Sequence, residues 1–211
     1  MRRLPVYLLL DTSGSMRGEP IESVKVGLES MISSLRQDPF ALESVYLSII
    51  TFDRDVKVLV PLTELEIFQL PDIQVPESGP TNLGEALELL VKRVNSEVIR
   101  TTADRKGDWM PLLFIMTDGS PSDLMTFREA VPKVKALNFG NIVACAAGPK
   151  AKPDSLKDIT DNIVSLDTTD ANTFGSFFKW VSASVSAGNK SLGTSQEASL
   201  PPPPPEVNVV I

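Results

Sequence analysis

The chain alternates short, wholly apolar segments with longer segments in which apolar residues recur every three or four positions. Residues 6–10 and 112–116 are apolar throughout, which is typical of strands covered on both faces. Residues 20–35 and 82–100 carry the apolar stripe of amphipathic helices. This alternation predicts an α/β fold, a Rossmann-like doubly wound sheet that is mostly parallel and has helices on both faces.

One strand of the predicted sheet differs from the others. Residues 45–52 and 56–60 both have strand composition, and only three residues connect them. So short a connection permits only an antiparallel hairpin, so we expect one antiparallel strand at the sheet edge. Asp53 and Asp55 are then hairpin-turn residues, with a second ion site as the alternative.

The C-terminal part of the chain has a different composition from the rest. With 211 residues the chain is long enough for one domain with a buried core, which we assign to residues 1–187. Residues 188–211 are rich in Ser and Pro and include five consecutive prolines, residues 201–205. We predict a disordered tail whose proline run is a stiff spacer.

Composition excludes several classes of function. The chain has no histidine and one cysteine, Cys145, which excludes a disulfide within the chain, a Cys/His zinc site and histidine-based catalysis. We expect Cys145 to be a buried, inert thiol. A net charge of −7 disfavours nucleic acid, and no segment has the length of a membrane span or of a signal peptide. The expectation is a cytoplasmic, monomeric protein with no membrane or nucleic-acid partner.

Three polar loops are predicted to meet at one edge of the sheet. Residues 6–10 and 112–116 each run directly into a polar loop, and a third loop, residues 79–82, enters the second long helix. Ligands bind at the carboxyl ends of parallel strands, so we expect the polar side chains of these loops to converge. The candidate site residues are Asp11, Ser13, Ser15, Thr81 and Asp118.

These five residues offer two carboxylates and three hydroxyls, all hard oxygen ligands. Such a set suits Mg²⁺, Mn²⁺ or Ca²⁺ rather than Zn²⁺ or Cu²⁺, and small hydroxyl donors favour Mg²⁺. A carboxylate from another molecule can then fill an open position on the ion. Each residue also has a local alternative: a turn or helix cap at Asp11, Ser13 and Ser15, a helix N-cap at Thr81, and a turn at Asp118.

The motifs of these loops resemble the metal-ion-dependent adhesion site of von Willebrand factor A-type domains. They are D-T-S-G-S-M at 11–16, G-P-T-N at 79–82 and T-D-G at 117–119, and the resemblance covers about residues 4–187. It implies that all five candidate residues surround the ion. It also implies a cation-dependent protein-interaction module, not an enzyme, in which the ion bridges to an acidic residue of a partner.

A narrower resemblance is to the bacterial tellurium-resistance TerY-like branch of that family. It is carried by residues 17–21, 106–109 and 117–123. It implies a role in tellurite and stress resistance, with kinase and phosphatase modules as partners. Some members of that branch also carry a cysteine-rich metal ribbon, which a chain with one cysteine lacks.

Two other functions are compatible with the same residues. One is a Mg²⁺-dependent phosphohydrolase with Asp11 as nucleophile, although such enzymes usually carry a second acid where this chain has Ser13, and no phosphate-binding glycine loop is present. The other is a purely structural role, in which the ion only holds the three loops together. Trp109 either contacts a partner at the rim of the site or packs under its loop. Asp123 either supports the ligands or is a solvated acid.

Overall fold

The computed structural model describes residues 2–77, 79–149, 151–191 and 200–210. They form a seven-stranded sheet in the order β3-β2-β1-β4-β5-β6-β7, with helices between the strands. The strands are β1 (Leu4–Asp11), β2 (Val45–Phe52), β3 (Val56–Glu64), β4 (Leu112–Thr117), β5 (Asn141–Ala147), β6 (Ile163–Leu166) and β7 (Asn208–Val210). The helices are α1 (Glu19–Arg36), α2 (Pro39–Ser44), α3 (Leu83–Glu97), α4 (Leu124–Lys135), α5 (Asp154–Lys157) and α6 (Ala171–Ser191).

The centre of the sheet is parallel and both of its edges are antiparallel. β1 pairs in parallel with β2 and β4, and β5 and β6 continue in parallel beyond β4. β3 pairs antiparallel with β2 at one edge, which confirms the predicted fold class and its antiparallel edge strand. At the other edge β7 pairs antiparallel with β6, an arrangement the sequence did not predict.

Each central strand contributes to two cores, one on each face of the sheet. Leu8 and Leu10 of β1 pack with residues of α1 and α6, whereas Tyr7 and Leu9 pack with residues of α3 and α4. Because successive side chains of a strand point to opposite faces, a strand covered on both sides must be apolar at every position. This is the physical origin of the unbroken apolar segments.

A short helix follows α1 where the sequence predicted only a helix end. α1 stops at Arg36, as Asp38 and Pro39 predict, but α2 starts at once at Pro39. Asp38 caps it by accepting hydrogen bonds from the amides of Phe40 and Ala41, with Pro39 at the first helical position. A helix of six residues is too short to show a periodic apolar stripe.

The structure corrects the prediction of a disordered tail for residues 200–210. β7 lies against β6, and the Val207 side chain is buried. The indole Nε1–H of Trp180 donates to the carbonyl oxygen of Pro201 at 2.8 Å. Composition reports only local preference, whereas these contacts join residues far apart in the chain. Of the rest of the predicted tail, residues 188–191 belong to α6, and residues 192–199 lie outside the described residues.

None of the helices in the described part of the chain combines the length and the apolar character needed to cross a membrane.

Candidate metal centre

The first site loop begins at the buried end of β1. Asp11 is only 1% exposed, and its Oδ1 accepts a hydrogen bond from the backbone amide of Ser13 at 2.8 Å. A single 3-10 turn, Gly14–Met16, follows. It brings the hydroxyl oxygens of Ser13 and Ser15 to 3.2 Å from one another. Ser13 is buried and Ser15 is exposed, so the pair leads from the interior to the surface.

The second oxygen of Asp11 is held from the neighbouring strand. The hydroxyl of Thr117, the last residue of β4, donates to Asp11 Oδ2 at 2.5 Å. The same hydroxyl oxygen accepts from the amide of Gly119 at 3.2 Å. Thr117 therefore fixes the Asp11 carboxylate relative to the loop that carries Asp118. Sequence reasoning assigned it no role, although its place between the strand and Asp118 was a usable signal.

Asp118 carries the most informative atom of the site. Its Oδ1 is buried and has no hydrogen-bond partner among the described residues. A buried carboxylate oxygen left unpaired is costly, and such groups are normally paired or bound to a metal. Burial raises the pKa of the neighbouring Asp11 to about 6, and repulsion from Asp118 contributes to the shift. Both carboxylates thus lie where a cation would lower their free energy.

Thr81 reaches the same place from the second loop. It is buried, and a Cβ built on Gly119 would lie 3.3 Å from its hydroxyl oxygen, so the hydroxyl faces the backbone beside Asp118. It is not the cap of α3, because the first amides of that helix, those of Gly84 and Glu85, donate to Asp123 at 3.0 and 2.7 Å. Asp123 is therefore not a solvated acid, but the two amides from which it accepts belong to α3 and not to a candidate ligand.

Further hydrogen bonds join the three loops to one another. Thr81 and Ser122 exchange two bonds, from the Thr81 amide to the Ser122 hydroxyl at 3.0 Å and from the Ser122 amide to the Thr81 carbonyl at 2.8 Å. Asp53 accepts from the Thr12 hydroxyl at 2.8 Å, and its carbonyl accepts from the Asn82 amide at 3.1 Å. Asp53 is therefore more than a hairpin-turn residue. The structure brings all five candidate residues together at one edge of the sheet.

The five oxygen donors of the candidate site fit a hard cation, and three of them are hydroxyls. Within the described residues there is no group of three or more His, Cys, Asp or Glu side chains that could hold a metal. The two aspartates balance the charge of a dication, and the hydroxyls of Ser13, Ser15 and Thr81 supply neutral oxygens. Cys145 is buried in β5, and burial raises the pKa of its thiol, as expected for an inert group.

Trp109 lies far from this site, at the opposite end of the sheet. Its amide donates to the carbonyl of Arg3 at the start of β1, and the guanidinium of Arg2 lies 3.6 Å from its ring centre. The ring packs partly against the core. The interpretation of Trp109 as a rim residue is wrong, and the packing interpretation is confirmed.

The cap on α3 gives a prediction for stability. Asp123→Ala removes the acceptor of two helix-terminal amides and should lower the free energy of unfolding by about 1–2 kcal/mol. Asp123→Asn keeps one acceptor oxygen and should lose less. Urea denaturation measures both. Asp104→Ala, at an exposed loop acid, is the matched control and should leave the midpoint unchanged. Equal midpoints for all three variants would contradict the assigned role.

Solved structures of other proteins have this fold. Proximal thread matrix protein 1 from the mussel byssus, in a structure described as having a zinc-occupied MIDAS motif, has a TM-score of 0.65 and 15% identity, covering 88% of this chain and 48% of that one. A von Willebrand factor type A protein from Catenulispora acidiphila has a TM-score of 0.62 and 15% identity, covering 88% of this chain and 43% of that one. At such identities the likeness shows the fold.

Sequence comparison gives the family. The uncharacterized protein sll0103 of Synechocystis sp. (strain ATCC 27184 / PCC 6803 / Kazusa) is 31% identical over 123 residues, which is 56% of this chain and 26% of the relative. The chain thus spans about a quarter of that relative's length. The family model of the von Willebrand factor type A domain matches residues 6–179. With the sheet topology and the motif-bearing loops described above, the chain belongs to the von Willebrand factor type A domain family.

Proposed function

We propose that this domain binds a divalent cation, Mg²⁺, and uses it to hold a protein partner rather than to catalyse a reaction. Domains of this family are commonly metal-dependent protein-interaction modules. The observation that carries the proposal is the buried, unpartnered Oδ1 of Asp118. Its proposed co-ligands share a hard oxygen donor and converge on the same edge of the sheet: Asp11, Ser13, Ser15 and Thr81.

The two aspartates have different roles in this proposal. Asp118 has a free oxygen that would hold the ion directly. Both oxygens of Asp11 already accept hydrogen bonds, from Ser13 and Thr117, so Asp11 would contribute mainly negative charge. Because the three hydroxyls add no further negative charge, an acidic side chain of the partner could fill an open position on the ion. The exposed hydroxyl of Ser15 marks the side on which the partner arrives.

Calorimetric titration of the metal-stripped protein tests the ion centre. We expect one Mg²⁺ site, which Mn²⁺ or Ca²⁺ also fills, and which is absent in Asp11→Ala. Partner capture from a lysate should then be lost in chelator and restored by added Mg²⁺. Partner capture that a chelator does not affect would refute the proposal. Chelator that lowers stability without affecting capture would favour an ion that only ties the loops together.

Lowering the pH through about 6 should reduce the stabilisation of the domain by Mg²⁺. The pKa of Asp11 is about 6 in the metal-free folded state and 3.8 when unperturbed, so the folded state takes up a proton as the pH falls through about 6. This group alone therefore makes the metal-free domain more stable at pH 5 than at pH 7.5. Since the proton opposes the cation, added Mg²⁺ should raise the melting temperature more at pH 7.5. Thermal melts check this, and Asp11→Asn should reduce the difference.

The phosphohydrolase alternative receives no specific support. A nucleophilic aspartate must present an oxygen to the substrate, but Asp11 is 1% exposed and both its oxygens accept hydrogen bonds within the domain. We therefore propose that the domain is not an enzyme. A phosphatase screen with Mg²⁺ should show no turnover, and turnover lost in Asp11→Asn would reverse this conclusion.

The biological setting is a narrower proposal. A cytoplasmic role in bacterial tellurite and stress resistance, with a kinase or phosphatase module as partner, is supported only by the sequence stretches 17–21, 106–109 and 117–123. Deleting the gene in its host should then lower tolerance to tellurite. The wild-type chain should restore tolerance and Asp118→Ala should not. Unchanged tolerance after deletion would contradict the role in tellurite resistance without contradicting the proposed ion-dependent interaction.

A further inference from the structure

The sheet edge beyond β6 is covered by the chain's own residues 200–210, here called the clasp. Its proline run lies beside α6, and the chain turns where the Val207 amide donates to the Pro204 carbonyl at 2.9 Å. It returns as β7, antiparallel to β6, with Val210 opposite Ile163 and Asn208 opposite Ser165. The clasp therefore supplies backbone partners to an edge that would otherwise be open.

Three apolar side chains of the clasp pack against the domain. Val207 is 3% exposed and packs into one core, and Leu200 and Val210 are partly buried against the two cores. The indole of Trp180 donates to the Pro201 carbonyl, and the Asn208 side-chain amide donates to the exposed Asp167 carboxylate. The clasp is thus attached through three apolar side chains, two side-chain hydrogen bonds and three strand pairs.

The clasp also leaves two clefts between its proline run and the rest of the domain. A cleft of about 390 Å³ lies between Lys179, Ala183 and the prolines. A second cleft of about 190 Å³ lies between Trp180, Val143 and the same proline run. Side chains of proline and valine are too short to occupy these spaces, so a segment with larger apolar side chains would bury more surface in the same groove.

We propose that this edge is a second protein-docking site, which takes an extended proline-rich segment from a partner protein and whose resident occupant is the clasp. An open sheet edge binds an added strand through main-chain hydrogen bonds, and alternate side chains give specificity. A proline run lowers the entropic cost of docking because its backbone is already extended. The partner segment is a proline run followed by alternating apolar residues, with bulkier side chains at the two clefts. The site does not involve the metal centre.

The full chain carrying Val207→Asp tests this proposal. A carboxylate does not fit the apolar position of Val207, so the clasp should leave the edge. A fluorescein-labelled peptide with the sequence of residues 200–210 is the probe, and its anisotropy is the readout. We expect saturable binding to the variant, and binding at least about tenfold weaker to the wild-type chain, whose attached clasp competes at a high effective concentration.

Two controls make the outcome decisive. A peptide carrying the same Val207→Asp change should not bind, and chelator should not alter binding of the wild-type peptide. A variant that keeps the wild-type circular dichroism spectrum but binds no peptide overturns the proposal, as does equal binding of both peptides.

A second measurement uses the wild-type chain and tests the proposal even if the Val207→Asp variant does not fold. In the wild-type chain, excess unlabelled peptide should speed hydrogen exchange at the chain's own residues 208–210, which mass spectrometry resolves if the peptide is isotopically labelled. Exchange at these residues that stays unchanged up to millimolar peptide would overturn the proposal.

Discussion

Asp118→Ala is expected to abolish cation binding while leaving the metal-free domain as stable as the wild type or more so. The substitution removes the only proposed ligand with a free, buried carboxylate oxygen. Substitution of a residue that only hydrogen-bonds to a metal ligand typically lowers metal affinity by about 10–100-fold. Loss of a direct ligand should therefore lower the Mg²⁺ affinity by at least about 100-fold. In the absence of metal, the same change removes an unpaired buried oxygen, which is a destabilising group.

Calorimetry and thermal melts measure the two effects separately. Asp55→Ala is the matched control, because Asp55 is an exposed acid in the loop that follows β2, near the same edge of the sheet. It should change neither Mg²⁺ affinity nor melting temperature. A metal-free Asp118→Ala domain that melts well below the wild type would show that Asp118 has a structural partner, and unchanged Mg²⁺ affinity would remove it from the ligand set.

Gly84→Ala is expected to be strongly destabilising and to disturb the site at the same time. A Cβ at Gly84 would overlap the backbone nitrogen of Phe127 and lie 2.7 Å from Asp123 Oδ2. Backbone cannot rotate away as a side chain can, so α3 and α4 must separate at their first turns. We expect a loss of about 3 kcal/mol or more in the free energy of unfolding. The separation also breaks the cap that Asp123 provides, so Mg²⁺ affinity should fall.

Gly175→Ala is the matched control for that experiment. Gly175 lies in α6, and a Cβ there would meet nothing within 4 Å. Alanine has the better helix propensity, so this variant should be more stable by about 0.5–1 kcal/mol. Urea denaturation of both variants gives the comparison. Similar stability of the two variants would show that α3 and α4 are not in close contact at Gly84.

Local patterns in the sequence were sufficient to predict much of the fold and to name the residues of the candidate site. The predicted strand at residues 45–52 matches β2 at both ends, because its apolar and β-branched residues stop at Ser44 on one side and at Asp53 on the other. The convergence of Asp11 and Asp118 follows from topology alone, since Asp11 ends β1 and Asp118 directly follows β4, its parallel neighbour. Whether these residues bind the ion stays a prediction.

Interactions between distant residues could not be predicted in this way. Asp123 caps a helix that begins 40 residues earlier in the chain, and Thr117 bonds to Asp11, which lies 106 residues away. Neither contact leaves a periodic signal, because a cap or a buried acceptor can come from any loop that the fold brings near. The clasp is a further example, since its proline run predicts a spacer when read locally, whereas Trp180 and β6, which contact the clasp, lie earlier in the chain.

The reciprocal bonds between Thr81 and Ser122, together with the Asp123 cap on α3, have a consequence for how the site responds to a ligand. The second and third loops are clamped to each other, so Thr81 and Asp118 belong to one rigid body whose shape is set before any ion arrives. The 3-10 turn that carries Ser15 lies outside this body, and Ser15 itself is exposed to solvent. We expect loop adjustment on ligand binding to be concentrated in that single turn, which makes an environment-sensitive label beside Ser15 the most direct reporter of occupancy.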